Sequence, residues 1–346
     1  MFSLPAEVQL DIFKFLNYED LCSIKQINFY FCNFIDNFEG ELAREIFYAI
    51  SIVMDVDRFK RGPYSKLIEP KAKNFYFPLN EELEEKWRNR VETQIPLYLL
   101  PRNASNFVIC LSKVINTEYY LQLPNFIKNK KDLKIVFYFL NKLFNCSFGY
   151  GEFYKVIFNP ELIELLFGRI FKQLYIKNCN LSITEHNIEN LSKFVLNNLA
   201  CGMLKIAFSV ENFIMENYKN NLNLFKILTN GRDNFEIVYL IFYNSLGNLD
   251  PNMNVTLFYD QIIEYIATSR ECSKIVPVIC FDFSNYKNLE ISGRAKEVKI
   301  GQQLINFKYT KYQILNIHNP KMRFSILMEE KRSFQKFDVH IRIMNL

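Results

Sequence analysis

A mixed architecture, α+β or α/β, is predicted by the sequence: a compact three-helix unit at the N-terminus and, behind it, a layered body of strands and helices. Three observations carry this. Apolar residues between Leu4 and Ile35 recur at helical intervals. From about residue 95, short apolar runs alternate with helical stretches, the pattern of strand and helix layers. The 346 residues are 49% hydrophobic and 23% charged, which is globular, and they exceed one average domain, so a small unit joined to a large one fits the length.

The first helix starts at Pro5, whose fixed φ suits a helix start and whose missing N–H has no intrahelical partner there. Glu7 adds an acidic group near the positive end. Val8, Ile12 and Phe15 or Leu16 then lay an apolar stripe along one face. Asn17 is placed to cap a second helix, with Glu19 and Asp20 in its first turn and Leu21, Ile24 and Ile27 as its buried side. Asn28 is placed to cap a third, running through Phe29, Phe31, Phe34 and Ile35. A unit of this size buries little by itself and leans on a neighbour or a partner.

The pattern Leu4-Pro5-x-x-Val8-x-x-x-Ile12-x-x-x-Leu16, followed by Asp20-Leu21 and an apolar third helix ending at Ile35, resembles an F-box. The resemblance covers residues 3 to about 45. Where many F-boxes carry a tryptophan in the third helix, this stretch has Phe29, Tyr30, Phe31 and Phe34. The resemblance implies docking onto a Skp1-like linker and, through it, a cullin, with Leu4, Pro5, Val8, Ile12, Leu16 and Leu21 carried over as the linker-binding pattern. An F-box ahead of an aromatic, Asn- and Lys-rich body is also similar to the expanded F-box proteins of nematodes.

Residues 1–46 are thus assigned to the F-box, 47–94 to a helical connecting region and 95–346 to an α/β domain expected to bind a protein substrate. In the connecting region, Leu42, Ile46, Ile50 and Val53 keep helical spacing, so residues 41–60 are expected to continue as helix. Arg61-Gly62-Pro63 breaks that pattern, 74–80 reads as extended, and a helix returns from Glu81 to Val91 around Trp87. Its Glu81, Glu82, Glu84 and Glu85 read as a solvated, dipole-favoured face rather than as catalytic carboxylates.

In the body, the apolar runs are Phe107 to Leu111, Ile135 to Leu140, Leu174 to Ile176, Leu204 to Phe208, Ile237 to Phe242, Val276 to Phe283, Glu297 to Ile300, Tyr312 to Ile317 and Phe337 to Ile343. Candidate helices are Pro160 to Phe167, Ile188 to Asn198, Glu211 to Thr229 and Gln261 to Ala267. The segment Phe171-x-x-Leu174-x-Ile176-x-x-Cys179-x-Leu181 resembles the leucine-rich-repeat template, in which the apolar pair on a short strand points inward. Cys201, Leu204 and Ile206, and Ala295, Val298 and Ile300, keep the inward pair alone. A degenerate leucine-rich-repeat-like array and a non-repetitive α/β domain both fit these irregular intervals.

Charge separates the two parts. Residues 1–46 hold three basic and eight acidic groups, whereas the whole chain carries +5, so the body is basic. Within 286–346, twelve Lys or Arg stand against five Asp or Glu. They are spread among apolar residues without a recognition-helix or zinc-finger pattern, which favours a solvated face over a nucleic-acid interface. Phosphate loops, a G-x-S-x-G elbow and an H-E-x-x-H pair are missing from the sequence, and Gly149-Tyr-Gly151 reads as a turn. Eight scattered cysteines without C-x-x-C, and three distant histidines, read as buried thiols rather than a zinc site. No signal peptide and no apolar run of about 20 residues appear, so no membrane partner and a cytoplasmic or nuclear location are expected. The sequence therefore points to a non-enzymatic substrate-recognition adaptor of a ubiquitin ligase, without cofactor or metal. The alternative is a non-ligase binding protein whose basic C-terminal surface contacts an acidic partner or nucleic acid.

Overall fold

A computed structural model describes residues 4–38, 40–54, 65–68, 70, 81–88, 95–99, 107–114, 117–168, 172–182, 188–209, 219–243, 252–284, 290–304, 306–332 and 337–346. Three short helices come first: α1 (Ala6–Lys14), α2 (Tyr18–Lys25) and α3 (Phe29–Asn37). Pro5 stands just ahead of α1, and its carbonyl accepts from the Gln9 N–H at 3.0 Å. Asn17 and Asn28 cap as their side chains require, accepting from the Asp20 and Phe31 N–H groups at 2.9 Å each. The helices close around Phe13, which is fully buried and meets the rings of Phe31 and Phe34 edge-on at 5.8 and 5.4 Å. Leu10, Leu21, Ile35 and Leu42 complete a core separate from that of the body.

The expected continuation of helix through residues 41–60 is overturned over 45–54. Glu45–Met54 is a strand, β1, and it lies inside the main sheet, whereas Glu81–Arg88 of the region 47–94 is helical as expected. The segment Glu-Ile-Phe-Tyr-Ala-Ile-Ser-Ile-Val-Met is rich in β-branched and aromatic residues. Its helical spacing is coincidental, since Ile46 is exposed while Ile50 and Ile52, two apart, are buried. Residues 61–63 and 74–80 lie outside the described residues.

The remaining elements are β2 (Ser65–Ile68), α4 (Glu81–Arg88), β3 (Ile95–Pro96), β4 (Tyr98–Leu99), β5 (Phe107–Val114), β6 (Thr117–Leu121), β7 (Phe126–Ile127), α5 (Lys130–Phe144), β8 (Cys146–Tyr154), β9 (Ile157–Phe158) and α6 (Pro160–Phe167). They continue with β10 (Leu174–Ser182), α7 (Ile188–Asn198), β11 (Leu199–Ser209), α8 (Lys219–Asn230), β12 (Phe235–Tyr243), α9 (Asn252–Thr268) and β13 (Val278–Ser284). Four strands end the chain: β14 (Lys296–Leu304), β15 (Phe307–Leu315), β16 (Arg323–Arg332) and β17 (Phe337–Asn345).

Thirteen strands form one mixed sheet in the order β14-β15-β16-β17-β13-β12-β11-β10-β8-β1-β5-β6-β2. Its centre is parallel: β1, β8, β10, β11, β12 and β13 add side by side in chain order. Between successive strands from β8 to β13 the chain returns through α6, α7, α8 and α9, as parallel pairing demands. The flanks are mainly antiparallel, with β14 to β17 on one side and β5 and β6 on the other.

The helices pack on one face of this sheet. Phe194 of α7 meets Phe153 of β8, Phe258 of α9 meets Phe281 of β13, and Tyr259 of α9 shares a 2.5 Å hydroxyl contact with Tyr312 of β15. Local rules set their ends. Asn159 caps α6 with Pro160 in the first turn, and Gly168 ends it at φ 67°. Asn129 caps α5 through the Lys131 and Asp132 N–H groups. The run Ile135 to Leu140, expected as a strand, is the middle of α5, where Leu133, Val136, Leu140 and Leu143 make the buried stripe. Val298 and Ile300, expected to point inward, are exposed on edge strand β14.

Candidate functional site

Two surfaces of the molecule have unusual chemistry. The first is the outside of the three-helix unit. Leu10 and Phe13 of α1 face its core, which turns Val8 and Phe15 to the other side of the helix, while Ile12 packs in part against the core. Leu4, Pro5 and Val8 are exposed, and Ile12 and Leu16 are half-buried. Leu21 alone among the six expected linker-binding residues is buried, so it supports the unit from within. Phe15 is 91% exposed and Phe29 80%, with Ile27 and Tyr30 also at the surface. Ile27 had been expected on the buried side of α2. It follows the helix, where the chain turns toward α3 and the helical phase no longer governs it.

Gln9 is a feature that the apolar pattern does not reveal. Buried in the first turn of α1, its Nε2 donates to the Leu4 carbonyl at 2.7 Å, and its Oε1 accepts from the Tyr30 hydroxyl at 2.9 Å. One amide therefore fixes the Leu4-Pro5 entry to α3. A buried amide satisfied on both sides positions its neighbours more firmly than apolar contact does. Two ion pairs, Lys14 with Glu41 and Lys25 with Asp36, brace the unit at its exposed rim.

The second surface is the face of the sheet opposite the helices. Parallel sheets are normally covered on both faces, and their strands read as unbroken apolar runs. Here the strands alternate instead: in β10, Leu174, Ile176, Cys179 and Leu181 are buried, while Tyr175, Lys177 and Asn180 are exposed. The step from Ile176 to Cys179 skips two residues rather than one, and the neighbouring strands share it. Phe47, Phe148, Ile176, Cys201 and Phe235 form one inward row, and Ile50, Gly151, Cys179, Leu204 and Val238 form the next. Ladder pairing is interrupted between these rows, at Tyr48, Gly149, Lys177, Gly202 and Glu236.

Glycines fit this interruption. A Cβ on Gly149 would stand 2.9 Å from the Tyr48 carbonyl oxygen, and one on Gly202 would stand 3.2 Å from that of Lys177. The pair Gly149 and Gly151, expected as a turn, thus lies in mid-strand, with Gly149 at the interruption, where a neighbouring carbonyl stands too close for a side chain, and Gly151 in the paired row beneath the Ile176 side chain. Beside the interruption lies a hollow of about 400 Å³, bordered by Tyr175, Lys177, Gly202, Arg232, Asp233 and Glu236.

Tyrosines populate the open face. Tyr48, Tyr150, Tyr154 and Tyr175 are exposed, and the Tyr48 and Tyr150 rings lie 5.3 Å apart. Cations sit over three rings: Arg44 over Tyr175 at 3.7 Å, Lys155 over Tyr154 at 5.0 Å and Lys205 over Tyr239 at 5.8 Å. The Arg44 guanidinium also donates to the Phe144 carbonyl at 2.7 Å, which holds it flat on the ring. Toward β17 the same face carries the hydrogen-bonded pair His340 and Asp282.

Cys280 stands beside His340, yet it is sealed from solvent, and Asp282, with a smaller contribution from Cys280, lifts the imidazole to about 10. An imidazole that stays protonated cannot serve as a base near neutrality. Burial raises the thiols of Cys179 and Cys201, which makes them poor nucleophiles. Glu84 of the acidic run pairs with Lys130 at 2.5 Å, which lowers its carboxyl and ties α4 to α5. Among the described residues, no three His, Cys, Asp or Glu gather as a metal would need, and no helix is long and apolar enough to cross a membrane.

A family model described as a domain of unknown function (DUF8381) matches residues 68–209. That stretch runs from the last residue of β2 to the last of β11, so it takes in β8, β10 and β11 with their shared interruption and leaves out the three helices. Neither a curated protein nor a solved structure matches the chain.

Proposed function

We propose that this chain is a substrate-recognition adaptor of the F-box type, in which the N-terminal helices dock a Skp1-like linker of a cullin ubiquitin ligase and the body holds a protein target. The observation that carries the reading is the separately cored helical unit, whose sequence pattern resembles an F-box and which turns Leu4, Pro5, Val8 and Phe15 outward. Contiguous exposed apolar residues on a small unit mark a surface that a partner covers. Catalysis would belong to the ligase. The adaptor contributes proximity, raising the effective concentration of an acceptor lysine near the transfer site.

We also infer that the central parallel strands form a degenerate leucine-rich-repeat-like array. Support comes from the interruption shared in register by five strands and from chain-order addition of one strand per helix between β8 and β13.

The adaptor reading is tested by co-expressing the full chain with a Skp1-like protein. Leu4→Ala together with Val8→Ala removes two exposed side chains without opening the core, and it should weaken co-purification by about 2 kcal/mol or more, as central apolar contacts do. Far-UV circular dichroism should stay unchanged. Undiminished co-purification would contradict the docking surface, and no association of the parent chain would contradict the adaptor role itself.

A further inference from the structure

The uncovered face of the parallel sheet has a chemistry that suits one kind of occupant. We propose that the open face from β1 to β13 and β17, centred on Tyr150, Tyr175, Lys177, Lys205 and Tyr239, docks an acidic segment of a partner protein. The inference concerns the body alone and does not depend on whether the N-terminal unit engages a linker.

Charge is the first argument. The cations on this face or at its rim are Arg44, Lys155, Lys177, Lys205, Arg232 and Arg342, while His340 is taken up by Asp282. The carboxylates are Glu152, Asp233, Glu236 and, two residues before His340 on β17, Asp338. The rows order these groups across the strands: Ser51, Glu152, Asn180, Lys205, Tyr239, Cys280 and Arg342 are successive in-register neighbours. Arg342 adds a cation at the end of this row, its buried Nε without a hydrogen-bond partner among the described residues. A net cationic face complements carboxylates.

The second argument is the surface under the charges. Tyrosine offers a large rigid ring and a hydroxyl at small entropic cost, which is why it is enriched in protein interfaces. Between the tyrosines lie the small residues Ala49, Ala200, Gly202 and Ala207, which give a floor that side chains of a partner can approach. At the interruption, the place a Gly202 Cβ would take lies 3.2 Å from the Lys177 carbonyl oxygen and 3.8 Å from the Glu236 carboxylate, so both oxygens border the hollow. Glu152 and Glu236 interrupt the positive field, and that disfavours a continuous phosphate backbone, which places a charge at every step. A peptide can instead set neutral residues against them.

The test selects from a phage-displayed library of random dodecapeptides on the full chain purified without a linker, and measures single-stranded oligothymidine in parallel. The selected peptides should be enriched in Asp and Glu. Lys177→Glu with Lys205→Glu should weaken the best of them by about tenfold or more, while Lys299→Glu with Lys311→Glu on the far strands should leave binding within about twofold. Tyr150→Ala, which keeps every charge, should also weaken them and separates the tyrosine surface from charge alone. An unchanged thermal midpoint for each variant shows that the fold is kept. Enrichment of neutral or basic peptides, acidic peptides retained by the Lys177→Glu with Lys205→Glu variant, or no selectable peptide would overturn the proposal. So would oligothymidine bound more tightly than any peptide and lost with the same substitutions, which would make this a nucleic-acid face.

Discussion

The three-helix unit and the sheet body solve the same packing problem at different scales. Seven buried side chains hold the helices together, and a unit that small cannot also hide Phe15, Ile27 and Phe29. The body has one large core under the helices and a small buried cluster, Val108 and Tyr120, at one end of the opposite face, and the rest of that face is tyrosine-rich and charged rather than apolar. The difference teaches how each surface would bind. Exposed apolar residues on a small unit call for a partner that buries them, whereas the open sheet is stable in water and suits a polar occupant.

Truncating the central aromatic of each region gives the largest expected effect and separates the two cores. Phe194→Ala, in the body beneath Phe153 and Phe158, should cost about 3–5 kcal/mol and lower the unfolding midpoint of the whole sheet. Phe13→Ala makes the same chemical change, yet amide exchange should quicken in residues 6–37 while β10 to β13 keep their protection. Equal loss of protection in the body after Phe13→Ala would mean that the two cores act as one.

A smaller effect is expected at the shared interruption of the ladders. Gly149→Ala places a methyl group 2.9 Å from the Tyr48 carbonyl, so strands β1 and β8 must shift, at about 1–3 kcal/mol in a urea titration. The same change at Gly40, where nothing lies within 4 Å, should be nearly neutral. The smallest effect belongs to His340. Its pKa rises from 6.5 to about 10 in the folded chain, so its contribution is complete below about pH 6.5 and is lost as pH climbs through about 10. With both partners partly exposed, the contribution should be about 1 kcal/mol or less, seen as a drop in stability between pH 7 and 10 that His340→Gln removes.

Local signals were legible in the sequence wherever one physical rule governed them. Asn17 and Asn28 cap as expected, and the spans Pro160 to Phe167 and Ile188 to Asn198 are helices from end to end. The inward pair Leu174 and Ile176 was legible through the leucine-rich-repeat template, whereas Cys179, which that template sets against a turn, is buried in mid-strand. Errors came where two periods overlap. Residues 45–54 fit a helical stripe and an alternating strand equally in the apolar alphabet, and pairing with β5 and β8 decides between them. Ile135 to Leu140 looks like a buried strand until the flanking Leu133 and Leu143 place it on a helix. Gly149 and Gly151 signal a turn by composition, but close approach of a neighbouring strand demands the same residues. The tyrosine surface was hidden because its members come from strands far apart in the chain, and Gln9 because a polar residue in an amphipathic helix reads as exposed.

The central claim is that the N-terminal helices and the open sheet are separate binding surfaces, the first for a linker. Amide exchange of the full chain, with and without a purified Skp1-like protein, tests it most directly. The account predicts added protection confined to residues 6–16 and 27–31, with β8 to β13 unchanged. Protection on the sheet strands, or none anywhere on the chain, would contradict it.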